Sequence, residues 1–250
     1  MQRATTYYLV HKNIPMLPRV LSENLCSLIP KQDRLSISCV FRVFENGDED
    51  PEFKPKIKLS VINSSAKWSY DLATKLIQEK DISYNSLSVD EKPATEQIFE
   101  QMKKNLIILN KIAKNMRQKR IESGALVIEN NDLEFELNEQ NMPITFKIKE
   151  RGDANFLVEE CMLKANKITA EFLYNNIKSM AVVRRHAFLN DNKFIEITRY
   201  MINNKFNVEF QDPKALNDFL IKLKETNPIK YTVNILHISQ NNFYINITFI

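Results

Sequence analysis

The sequence predicts an α+β fold, with mixed or antiparallel strands beside two long helices, and three observations carry that prediction. Leu35, Ile37, Cys39, Phe41 and Val43 alternate with polar or smaller residues, and a second apolar run, "KPKIKLSVI", returns across an acidic turn, which is the pattern of a β-hairpin. Apolar residues at helical spacing mark a long helix from Ala94 to Ile121. A second long helix covers Asp153 to Tyr174. No repeat, low-complexity linker or domain boundary interrupts these 250 residues, so the chain reads as one unit with a sizeable core.

The elements follow in order. Tyr7 to Val10 reads as a short strand stopped by the turn from Pro15 to Pro18, and "RVLSENLCSLI" as a short amphipathic helix with Val20, Leu21, Leu25 and Leu28 on its apolar side. The hairpin comes next, with "ENGDEDPE" as a loose connecting turn, and then a helix from Ser69 to about Gln78. The long helix carries Ile98, Met102, Leu106, Leu109, Ile112, Ala113 and Met116 at helical spacing. Its basic end, "KNMRQKRIESG", stops at Gly124, as suits the negative end of a helix dipole. "ALVIE", "LEFELN" and "ITFKIKE" read as three strands. Asp153 is placed to cap the second long helix, whose stripe is Leu157, Cys161, Ala165, Ile168 and Phe172. From Ala181 onward shorter helices lead into an Asn-rich, apolar tail.

Composition excludes several classes of protein. The chain is 44% hydrophobic and 26% charged, which is ordinary for a globular protein, and its net charge of +4 announces no strong basic field. Its three glycines, Gly47, Gly124 and Gly152, cannot build a Gly-rich phosphate loop, which sets aside P-loop NTPases and dinucleotide-binding enzymes. Cys26, Cys39 and Cys161 are odd in number and widely spaced, the pattern of buried free thiols in an intracellular protein rather than of zinc ligands or a disulfide framework. There is no secretory signal pattern and no apolar run of about 18 residues, so the chain is expected to be intracellular, cytoplasmic or nuclear, with no membrane partner.

Chemistry from residue types alone is sparse. Asp48, Glu49, Asp50 and Glu52 crowd the hairpin turn, and Glu129, Asp132, Glu134 and Glu136 lie along strands; solvated carboxylates account for both better than a metal site does. His11, His186 and His237 are scattered and form no nucleophile triad. Lys103, Lys104, Lys111, Lys114, Arg117, Lys119 and Arg120 line the long helix, either as a solvated face or as a surface for phosphates.

Four strings in order bring a resemblance. "YLVHKNIPMLPRVLSENLCSL" (Tyr8 to Leu28), "SAKWSYD" (Ser65 to Asp71), "GALVIE" with "ANFLVEECMLKAN" (Gly124 to Asn166) and "AVVRRHA" (Ala181 to Ala187) together resemble the catalytic domain of the ribonuclease II, or RNB, family, in its eukaryotic spelling. The likeness runs over roughly residues 5 to 190, with 191–250 an expected continuation of the same partial domain. It implies part of a magnesium-dependent 3′→5′ exoribonuclease acting on single-stranded RNA. The family's metal-binding aspartates and its later arginine motif match nothing in these 250 residues, so the resemblance implies the central portion of such a domain, with no catalytic or metal-binding residue within the chain and magnesium belonging to the complete domain.

The same resemblance implies three RNA-binding residues. Tyr8 matches a tyrosine that stacks on the base at the 3′ end, Tyr70 one that lines the RNA channel, and Glu159 a glutamate that accepts from ribose near the active site. Ile128 falls where bacterial members place a stacking phenylalanine, a contact isoleucine does not reproduce. From the residues alone, each tyrosine could equally be core or rim, and Glu159, off the apolar stripe, could be solvated. Two alternatives stand beside the enzyme: an RNA-binding pseudonuclease, and an inactive gene fragment. Single-stranded RNA is the expected partner, with exosome-like or other RNA-decay partners implied by the family.

Overall fold

The computed structural model describes residues 5–123, 125, 132–149, 151–183, 191–206, 208, 210 and 213–240. Two compact units divide the chain: residues 1–114 with 131–162, and residues 115–130 with 163–250. Two of the three boundaries, at 114/115 and 162/163, fall inside helices, so no Pro- or Gly-rich linker announces these two. Helices and three separate two-stranded antiparallel sheets make up the described residues, the α+β class that the sequence predicts.

The first unit opens with β1 (Tyr7–Tyr8) and β2 (Asn13–Ile14), closed by the Leu9 N–H donating to the Lys12 carbonyl at 2.9 Å. The pairing is shorter than the strand the sequence predicts. Val20–Leu25 is a π-helical turn rather than an amphipathic α-helix: the Cys26 N–H donates five residues back to the Leu21 carbonyl at 2.8 Å, and Val20, Leu25 and Leu28 are exposed.

The hairpin is β3 (Asp33–Val40) with β4 (Lys56–Asn63), in a register that opposes Leu35 to Val61 and Ile37 to Leu59. Its polar face is tied by hydroxyls, Ser36 to Ser60 at 2.8 Å and Ser38 to Ser60 at 2.6 Å. Its apolar face is the open one: Leu35 is 82% and Leu59 86% exposed. In the turn, Gly47 takes φ 84°, which suits a residue without Cβ. Asp50 departs from the solvated reading, since it is buried and accepts from Arg42 Nη1 at 3.1 Å and from the Glu52 N–H at 3.0 Å.

Helix α1 (Tyr70–Ile77) starts where Ser69 caps it, the serine Oγ accepting from the Leu72 N–H at 3.2 Å. Helix α2 (Glu96–Glu122) starts after Thr95, whose Oγ1 accepts from the Ile98 N–H at 3.3 Å. Between them Leu76, Leu87 and Phe99 form a core with Trp68, Leu72, Ile82, Tyr84 and Leu106 around it. Trp68 meets Phe99 edge-on at 5.9 Å between ring centroids and donates from Nε1 to the Glu91 carbonyl at 2.8 Å, so it belongs to this helical core. Along α2 Phe99, Asn110 and Ala113 are buried and Met102, Leu106, Ile112 and Met116 half-buried, so the predicted stripe holds except at Ile98 and Leu109, which are exposed.

Strands β5 (Asp132–Leu137) and β6 (Pro143–Lys149) form the third pair, with Phe135 opposite Phe146. Of the segment "ALVIE", all but Ala125 lies outside the described residues, Ile128 included. Helix α3 (Asp153–Ile177) begins one residue earlier than a capping Asp153 requires: Gly152 is the cap, and Asn155 Oδ1 accepts from its N–H at 3.0 Å, the returning half of a capping box. Ala154, Leu157, Glu160 and Ile168 are buried, whereas Phe172 is exposed.

The second unit's core lies among α4 (Asp191–Asn203), α5 (Pro213–Thr226) and α6 (Pro228–Gln240), the last two opening on proline as helices favour. Ile197, Met201, Phe210, Leu216, Leu220, Leu223, Tyr231 and Ile235 form it. Among the described residues no helix is long and apolar enough to cross a membrane.

All three cysteines are free, but none is fully buried: Cys26 is exposed and Cys39 and Cys161 are half-buried. Burial raises the Cys39 thiol, and burial together with Glu160 raises that of Cys161. Because the thiolate is the reacting form, iodoacetamide at pH 8 is expected to label Cys26 first. Mass spectrometry of early time points checks this, and faster labelling of Cys161 would contradict it.

Candidate nucleic-acid interface

The three residues implied by resemblance all lie in the first unit. Tyr8 closes β1, where pairing with Asn13 fixes its backbone and leaves the side chain outward and 79% exposed. Among the described residues its hydroxyl has no hydrogen-bond partner and its ring no aromatic neighbour. A core or rim tyrosine would be covered; this ring presents both faces to solvent.

Tyr70 is the first residue of α1, set by the Ser69 cap, and is 49% exposed. Thr74 stands four residues on, one turn along the same face of the helix. That face meets the start of α3 closely, for a Cβ at Gly152 would lie 2.6 Å from Thr74 Oγ1 and 2.9 Å from its Cγ2. Glycine is required here by contact, not by its backbone angles.

Glu159 lies two turns into α3, three residues beyond Phe156. It is not simply solvated: its side chain is 23% exposed, and Arg151 Nη2 donates to its Oε2. The guanidinium of Arg151 lies 5.0 Å from the centroid of the Phe156 ring, so one cation touches both a ring and a carboxylate. The contact at Gly152 therefore joins the elements that carry Tyr70 and Glu159, with Arg151 next to the joint in sequence. Tyr8, on β1, takes no part in it. Arg151 has no signal in the sequence, since eight residues separate it from Glu159 across the start of a helix.

The basic residues of α2 are largely spoken for. Lys111 pairs with Glu45 and Lys114 with Asp153, the latter at 2.8 Å. The pairing lowers the Glu45 carboxyl below its usual value, through its hydrogen bond and charge contact with Lys111. Arg117, Lys119 and Arg120 have contacts of their own. Arg184 and Arg185 lie outside the described residues. Among the described residues no three His, Cys, Asp or Glu side chains converge to hold a metal ion, so they do not fit a catalytic magnesium site and no hydrolytic step is assigned to them.

What this arrangement offers is two open aromatic rings and one oriented carboxylate acceptor. Open rings suit stacking on bases, and a carboxylate suits a hydroxyl. Comparison with known proteins gives these features a context. The family model described as RNB domain matches residues 1–244. The chain belongs to the RNB-domain family. DIS3-like exonuclease 2 of Schizosaccharomyces pombe is 33% identical over 224 residues, covering 90% of this chain and 24% of that protein. The inactive exonuclease DIS3L2 of Arabidopsis thaliana is 33% identical over 224 residues, covering 88% and 20%. The chain thus spans about a quarter or less of the length of these relatives. Among solved structures, Mycoplasma genitalium RNase R in complex with ribose methylated single-stranded RNA superposes with a TM-score of 0.74 at 22% identity, over 93% of this chain and 34% of that one. That likeness is one of fold, and it gives this RNB chain the architecture of the RNase R domain.

Proposed function

We propose that this RNB chain binds single-stranded RNA as part of a magnesium-dependent 3′→5′ exoribonuclease, with Tyr8 and Tyr70 as stacking surfaces and Glu159 as a ribose acceptor. The observation that carries the reading is the open Tyr8 ring, 79% exposed in a chain of this family. Relatives named as exonucleases, and an RNase R of the same fold in complex with single-stranded RNA, support it. The metal ions would activate water and stabilise the leaving oxygen from carboxylates outside the described residues.

A second reading is RNA binding without hydrolysis. It is favoured by a relative of equal identity that carries the name of an inactive exonuclease.

Fluorescence anisotropy with a labelled single-stranded RNA tests the shared element. Tyr8→Ala and Tyr70→Ala are each expected to weaken binding by about 5- to 100-fold, the worth of one stacked base, while Tyr8→Phe keeps it. Binding weakens as salt rises. Adding magnesium to the complete domain, the metal-binding carboxylates included, then separates the readings: shortening of a 5′-labelled strand from its 3′ end marks the nuclease, and binding without shortening marks the pseudonuclease. Unchanged affinity in both alanine variants would remove the tyrosines from the interface.

A further inference from the structure

Resting on that RNA-binding reading, we propose that Arg151 is a positioning residue that fixes the Glu159 carboxylate for recognition of a ribose 2′-hydroxyl. Arg151 precedes the Gly152 cap of α3, and its side chain runs along the first two turns of that helix. Its guanidinium meets the Phe156 ring and donates from Nη2 to Glu159 Oε2. Phe156 and Glu159 are three residues apart on one helical face, so ring and carboxylate lie on the same side of α3. A planar guanidinium set by both is held in direction as well as in place, which a lysine ammonium cannot match.

The chemistry needs such a partner. An unpaired carboxylate beside a phosphate backbone repels it, and a cation in direct contact offsets that charge. An ionised carboxylate offers about four lone-pair sites, more than one guanidinium nitrogen uses, so it can hold Arg151 and accept a hydroxyl as well. The 2′-hydroxyl is the group that separates RNA from DNA. A carboxylate aimed at it contributes selectivity, and the residue that aims the carboxylate controls that selectivity without touching RNA.

The test measures the ratio of affinities for single-stranded RNA and DNA of one sequence, by anisotropy at fixed salt, with the full 250-residue chain. Wild type, Arg151→Lys, Glu159→Gln and the double variant are compared. Arg151→Lys is expected to lower the RNA-to-DNA ratio about 10-fold, the scale of a hydrogen bond to a charged group. Glu159→Gln is expected to lower it similarly, and the double variant no further than the worse single, because the two act as one device. A purely structural Arg151 would lower the melting temperature and leave the ratio alone. An Arg151 that contacts phosphate would keep its function as lysine. Either result overturns the proposal, as does strict additivity in the double variant. A wild-type chain that binds RNA and DNA equally removes the 2′-hydroxyl role of Glu159 and Arg151 together while leaving RNA binding intact; one that binds neither overturns the functional reading itself.

Discussion

Phe99→Ala is expected to lower the stability of the first unit by about 3–5 kcal/mol, the largest effect anticipated for any single change in it. The ring is buried among Leu76 and Leu87, with Trp68, Leu72, Ile82, Tyr84 and Leu106 against it. Trp68 and Tyr84 stand 5.9 Å and 6.0 Å from it between centroids, so the truncation removes two aromatic contacts as well as apolar area and leaves a cavity. The chain's one tryptophan is itself in this contact, which makes its fluorescence a local reporter. A thermal melt followed at Trp68 should shift down by about 10 °C in a chain of this size. A shift below about 2 °C would mean that the cluster adds little to the unit's stability.

Gly152→Ala is expected to be the second most damaging substitution, for two reasons that add. Alanine is a poorer helix cap than glycine. Its Cβ would also lie 2.6 Å from Thr74 Oγ1 and 2.9 Å from Cγ2, and a β-branched side chain on a helix has few rotamers into which to retreat. Overpacking of this kind costs about 1–3 kcal/mol. The double variant Gly152→Ala with Thr74→Ala should recover most of that, because the crowded atoms are gone, and should retain only the capping loss. Denaturant melts of the four proteins give the coupling directly; a double variant as unstable as the sum of the singles would place the cost elsewhere. The substitution also strikes the joint between α1 and α3, so RNA affinity should fall with stability in Gly152→Ala and return in the double.

How far the sequence could be read depends on the range of the interaction concerned. Local signals were sufficient for the β3–β4 hairpin and for the existence of α1 and α2, since alternation and helical period act within a few residues. Which face each element buries is a tertiary matter. The alternation of Leu35 and Ile37 identifies a strand without saying that its apolar face stays open, and the period of α2 does not say that Asn110 is buried while Ile98 and Leu109 are exposed. The two-unit division is hard to see because two of its three boundaries run through continuous helices. The roles proposed for Tyr8, Tyr70 and Glu159 rest on motif resemblance alone; composition and period treat these residues as ordinary surface or core. The role proposed for Arg151 depends on a long side chain lying back along a helix, which no local sequence pattern encodes.

The most direct test of the interface is photocrosslinking with a single-stranded RNA that carries 4-thiouridine at its 3′ end, followed by mass spectrometry of the modified peptides. The account predicts crosslinks on the peptides that carry Tyr8 and Tyr70, lost when the corresponding tyrosine is alanine. Crosslinks confined to the lysines of α2, or none above a DNA control, would contradict it.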